Sequence, residues 1–185
     1  MITEAKFKYT LKEMMLTMPL EEINVTALCE KCGCHRQTFY YHFQNIYDLL
    51  AAYFLNEKVT GLAESESVIK ALESLIDYSK TNFSFLRSSY NSAAHDLVDD
   101  FFYNKIVNKI FLILSKNNEG DLSTNAYRIL ARRFSRLVSD EFGYQFKDTS
   151  ITPIKFEKRM KKFVKLSLTT IYPALLKLGK EESKK

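Results

Sequence analysis

The chain has 185 residues, 46% of them apolar and 26% charged, enough to bury a hydrophobic core unaided and too apolar for intrinsic disorder. Glycine and proline together supply only eight residues, against roughly 12% of an average protein, which argues against turn-rich sheet folds and for an all-α protein. The formal charge of +5 is unevenly spread: residues 1–60 and 61–150 each sum to −1 and residues 151–185 to +7, so net charge alone says little about a nucleic-acid partner.

Apolar spacings of three and four predict a first helix over 2–18 through Phe7, Leu11, Met14, Met15 and Met18, ended by Pro19. A short second helix over 24–31 is capped by Asn24 or Thr26 and carries Val25, Leu28, Cys29 and Cys32 on one face. Gly33 breaks it. A third helix covers 35–43, and a fourth runs from 45 to about 61, buried through Ile46, Leu49, Leu50, Tyr53 and Phe54. Longer helices follow over 67–80, an aromatic stretch at 83–90, and 93–115, which is apolar on most sides and expected to lie centrally. After a loop at 117–120, two amphipathic helices cover 124–146 and 152–178, the last kinked near its end by Pro173. The reading gives about nine helices, short ones in 1–60 and long ones in 61–185.

Two short helices joined by a tight turn at Gly33 make a helix-turn-helix, with the motif at about 24–43. On the third helix Phe39 and Phe43 share a face that must enter the core. Gln37 and Tyr41 then point most directly outward, Thr38, Tyr40 and His42 flank them, and Arg36 reaches out from the helix N-terminus. Glutamine suits adenine and arginine suits guanine, while tyrosine and histidine offer phosphate donors without net charge. A weakly charged segment can therefore still read DNA.

These residues resemble the DNA-binding half of the TetR family of bacterial transcriptional regulators. The match runs through Ile23, Val25, Gly33, Thr38, Phe39, Tyr40, His42, Phe43 and Leu49, with Leu28 as a conservative stand-in, and covers the first third of the chain. Cys29, Cys32, Cys34 and His35 depart from the pattern, and Ile46 stands where a phosphate-contacting lysine is common. The resemblance implies a DNA-binding domain over 1–60 and a helical regulatory and dimerisation domain over 61–185. It also implies a ligand-responsive repressor that binds a palindromic double-stranded operator as a homodimer in the bacterial cytoplasm. The implied DNA contacts are Thr26, His35, Arg36, Gln37, Thr38, Tyr40, Tyr41, His42 and Asn45. The second reading is an adaptor of the same fold acting through protein contacts, motivated by Ile46 and the −1 charge of residues 1–60.

Among the aromatics, Phe83, Tyr90, Phe101, Phe102 and Tyr127 are candidate contacts of a small-molecule effector, weighed against a plain core role. In such regulators the last two long helices pair with their mates. The residues agree: Phe156, Met160, Phe163, Val164, Ile171 and Leu175 form a stripe opposite the lysines, and Phe134 and Leu137 add a second. The competing reading is that both stripes face their own subunit's core.

The cysteine cluster with His35 invites a zinc or redox reading, set against three small core residues of the turn. His95 with Asp99, or Asp96 with Asp100, sit one turn apart as cation ligands, set against a solvated helix face. No metal is expected. Three clustered cysteines do not make a secreted disulfide framework. The N-terminal residues carry charge where a signal peptide is apolar, and the longest apolar run, 49–55, is far short of a bilayer span, so a soluble intracellular protein is expected. No glycine-rich phosphate loop, nucleophile elbow or His-Glu-x-x-His occurs, so neither catalytic residues nor cofactors are expected.

Overall fold

The computed structural model describes residues 4–118 and 122–182. Among them every regular element is helical. The order is α1 (Glu4–Met15), a single 3-10 turn (Leu20–Glu22), α2 (Val25–Cys32), α3 (Arg36–His42), α4 (Ile46–Asn56), α5 (Val68–Thr81), α6 (Phe83–Tyr90), α7 (His95–Asn117), α8 (Thr124–Lys147) and α9 (Pro153–Leu166). The last helix continues through a π-helical turn (Ser167–Ile171) into α10 (Tyr172–Glu182), and counting that rod once gives nine helices among the described residues. The all-α expectation holds.

The chain divides into two compact units, Met1–Lys58 with Phe83–Val98 and Val59–Asn82 with Asp99–Lys185. In the first, local chemistry sets each helix end. Asn24, rather than Thr26, caps α2, its side chain accepting the Ala27 N–H at 3.0 Å. Gly33 takes the left-handed conformation at φ 65°, where its N–H donates to Glu30 O and the Cys34 N–H to Cys29 O, both at 3.0 Å. This pair of bonds is a Schellman motif, which stops α2 and turns the chain into α3. Asn45 caps α4 by accepting from Asp48 N, and Asp48 in return accepts from Gln44 N, each at 2.9 Å. An aromatic cluster seals the unit: Phe7 meets Phe39 edge-on at 5.5 Å and Phe43 at 6.1 Å, while Phe85 packs on Tyr53 and Phe54.

The second unit is built on long amphipathic helices. Phe102 of α7 stacks on Phe142 of α8 at 4.3 Å, and Phe146 stacks on Phe156 of α9 at 5.3 Å. This corrects part of the dimer expectation: Phe134, Phe156 and Met160 are 0% exposed and Val164 2% within their own chain, so they have no surface left for a partner. Glu157 of α9 bridges Lys80 of α5 and Lys161, which holds its carboxyl down at about 2.

The disturbance expected at Pro173 falls just before it. A proline ring crowds the carbonyl four residues back and offers it no N–H. The backbone answers with a π turn in which the Tyr172 N–H donates to Ser167 O. One residue is thereby added to the turn, and the buried face slips by one position. Tyr172 is buried against Phe134 at 5.2 Å, whereas Ile171, expected on the stripe, is 37% exposed.

Candidate nucleic-acid interface

The outer surface of the first unit carries the expected reading set. Thr26, His35, Arg36, Gln37, Tyr40, Tyr41 and Asn45 are exposed, and Thr38 and His42 are half-buried. Phe39 is fully buried on the opposite face of α3, so the outer face is rigidly presented although the helix has only seven residues. Tyr41 is 86% exposed.

Arg36 and Tyr40, one turn apart, form a unit. The guanidinium donates to the Tyr40 hydroxyl at 3.4 Å and lies 6.0 Å from its ring centroid. This hydrogen bond and the electrostatics of the phenol raise the arginine's pKa, and a guanidinium is charged at neutral pH in any case. His42 is held differently: its ring packs on Phe7 and Tyr41, and Nδ1 lies 3.8 Å from a Glu4 carboxylate oxygen. Part of its surface therefore belongs to the core. Asn45 has committed its carbonyl oxygen to capping α4, leaving the amide nitrogen as its donor group.

Ile46 is buried, so the position lost as a phosphate-contacting lysine has become core. Its exposed neighbour Tyr47, absent from the expected set, supplies a hydroxyl at the start of α4. The phase of α4, with Ile46, Leu49, Leu50 and Tyr53 turned inward, was the signal that pointed Tyr47 outward. The recess of about 450 Å³ beside it is lined by Asp48 and Asp96 as well as Asn45 and Tyr47, and two carboxylates make it a poor seat for a phosphate.

Cys29 and Cys32 are buried and Cys34 is half-buried. Burial, followed by a hydrogen bond with Cys34, pushes the Cys29 thiol up to about 11, so it is uncharged at neutral pH. Among the described residues no group of three or more His, Cys, Asp or Glu is placed to hold a metal ion. His95 Nε2 lies 3.1 Å from its neighbour Asp96.

The five candidate effector contacts are all buried. Phe101 packs on Tyr78, Phe102 on Phe142, Tyr127 donates to Asn118, and Phe83 and Tyr90 belong to the first unit. A separate recess of about 360 Å³ between α5 and α9 is lined by Ile69, Ile76, Val164 and Leu168 together with Glu73, Lys161 and Lys165. No described helix is long and apolar enough to cross a membrane.

No family model matches the chain, and no curated protein matches it. Solved structures do. The chain is similar to a dihydroxyacetone kinase operon activator, DhaS, with a TM-score of 0.69 and 20% identity over 92% of this chain and 96% of that one. It is also similar to the TetR family repressor AlkX from Dietzia sp. strain DQ12-45-1b, implicated in biodegradation of n-alkanes, with a TM-score of 0.57 and 15% identity over 93% and 97% of the two chains. Likeness along nearly the whole length of both, at such identities, is a statement about architecture: this chain has the TetR-type fold.

Proposed function

We propose that the protein is a transcription regulator that binds double-stranded DNA as a homodimer, reading through residues 1–60 and receiving its signal through residues 61–185. The observation that carries this is α3, a helix pinned by Phe39 and Phe43 on one side that offers Arg36, Gln37, Tyr40 and Tyr41 on the other. Gln37 reads a base edge, Arg36 lies at the N-terminal end where a recognition helix meets bases, and Tyr40, Tyr41 and Tyr47 position the backbone. Such a regulator works in the cytoplasm.

The pairing surface is what the chain's own core leaves over. Leu137 and Tyr144 lie seven residues apart on α8, and Phe163 and Leu166 lie on α9; Tyr144 is 67% and Leu166 57% exposed, and Leu137 and Phe163 are half-buried. Two copies meeting there about a two-fold axis present two α3 helices to a palindrome, and occupancy of such an operator is repression in its simplest form. An effector takes the recess between α5 and α9, since the five aromatics are committed to core packing. A ligand there that favours one arrangement of the chain shifts the binding equilibrium by its differential affinity.

A second reading, an adaptor acting through protein contacts, is favoured by the buried Ile46 and by the description of DhaS as an operon activator. Selection from random duplex DNA at several salt concentrations separates the two. A regulator enriches one palindrome and loses affinity steeply with salt, whereas an adaptor retains weak, uniform binding. Leu166→Glu with Tyr144→Glu should yield folded monomers in sedimentation; a dimer unchanged by both charges overturns the pairing surface.

A further inference from the structure

The reading face makes no use of the three cysteines, yet the turn brings two of them together. Cys29 and Cys34 occupy the two ends of the Schellman motif, joined by the Cys34 N–H to Cys29 O bond of 3.0 Å. In this motif the side chains at those ends pack on one another, which makes the Cys29 and Cys34 thiols neighbours across the turn. The backbone bond keeps the two Cα atoms within the span a disulfide requires. Cys32 is turned elsewhere, its thiol donating to Thr10 Oγ1 on α1 at 3.3 Å. Access is asymmetric: Cys29 is 2% exposed, whereas Cys34 is only half-buried. Two sulfurs without a third ligand do not suit a metal.

We propose that Cys29 and Cys34 are a dithiol modification site that closes to an intramolecular disulfide on reaction with a hydroperoxide. Cys34, the accessible sulfur, attacks the peroxide oxygen; the O–O bond breaks, an alcohol or water leaves, and Cys34 becomes a sulfenic acid. The Cys29 sulfur then attacks the Cys34 sulfur, the S–O bond breaks, and the hydroxyl departs as water with the Cys29 proton. Two thiols and one hydroperoxide thus give one disulfide, one alcohol (water when the oxidant is hydrogen peroxide) and one water, and an external dithiol reverses the change. Closing the bond shortens a non-bonded sulfur contact to about 2 Å. It draws Cys34 toward α2 together with the adjoining His35, the residue from which α3 starts. The effect on DNA binding rests on the proposed function; the bond itself does not.

The test is treatment of the intact protein with hydrogen peroxide, alkylation of the remaining thiols under denaturing conditions, and mass spectrometry. Free thiols should fall from three to one per chain, the survivor being Cys32. Trypsin cuts after Lys31, so the bond should appear as peptide 13–31 joined to peptide 32–36. The cross-link should persist in Cys32→Ser, vanish in Cys34→Ser, and be lost on treatment with dithiothreitol. A bond between Cys32 and Cys34, cross-links between chains, or Cys34 oxidised to the sulfinic acid with Cys29 still free would each overturn the assignment. Fluorescence anisotropy on duplex DNA reads the consequence. A reversible loss of affinity that Cys34→Ser abolishes supports a switch, and unchanged affinity in the bridged protein removes it. Absence of DNA binding in the reduced protein counts against the functional reading and leaves the disulfide standing.

Discussion

The two units spend their aromatic residues differently. In the first, one seven-residue helix carries aromatics on both sides, Phe39 turned in and Tyr40 and Tyr41 turned out. In the second, Phe102, Phe134, Phe142, Phe146 and Phe156 are all fully buried, and the exposed side of α9 is largely lysine. A short helix buries little surface, so a large inward side chain such as Phe39 does much to hold α3. Once held, its outer face is free to be chosen for contact rather than for stability. A long helix is held by its length, and its outer face can be mostly charged, with Tyr144 and Leu166 standing out as exposed apolar side chains.

The largest test of this contrast is Phe39→Ala. Loss of a fully buried phenylalanine should cost about 3–5 kcal/mol in urea denaturation and abolish DNA binding; a variant as stable as the parent would show that α3 is held by something else. Gln37→Ala, on the outer face of the same helix, should leave stability within about 0.5 kcal/mol. It should relax preference at one base pair by about 1–3 kcal/mol in a binding-site selection. Tyr41→Phe is the control, since loss of a phosphate donor weakens every sequence alike; His42→Ala is a poorer one, because that ring also packs on Phe7. Asn24→Ala removes the cap of α2 and should cost about 0.5–2 kcal/mol, seen as a lower urea midpoint with an unchanged slope.

The smallest effect is acid sensitivity where α8 hands over to α9. The hydroxyl of Ser150 and the guanidinium of Arg159 hold Asp148 at about 2, below its ordinary 3.8. A carboxylate depressed in the folded state adds stability above its ordinary value and loses it as pH falls toward the folded one. Circular dichroism should therefore show a weakening between pH 3.8 and about 2, and Asp148→Asn should reduce it, leaving the share that the depressed Glu157 contributes over the same range.

Much of the first unit was legible because its determinants are local. Asn24, Gly33 and the spacing of Phe39 and Phe43 act within a few residues of themselves. Which side of α3 faces outward followed from the same spacing. Three things were not legible. An amphipathic stripe records that a face is buried, not what buries it, so Phe156, Met160 and Val164 read equally as core and as dimer seam. Helical periodicity also groups Cys29 with Cys32, and only the left-handed Gly33 folds Cys34 back over Cys29. Ile171 was misplaced for a third reason: its phase depends on a π turn that periodicity assumes away.

That π turn makes the last rod's length and its proline interdependent. Deleting one residue from 168–170 would restore an α-helical count and keep Tyr172 facing Phe134, but would return the Pro173 ring to the carbonyl it now avoids. An inserted residue would instead rotate everything beyond it by about 100°. Deletion combined with Pro173→Ala is the change that leaves a plain α-helix with the same buried face, so in descent or in design the extra residue and the proline are gained and lost as a pair.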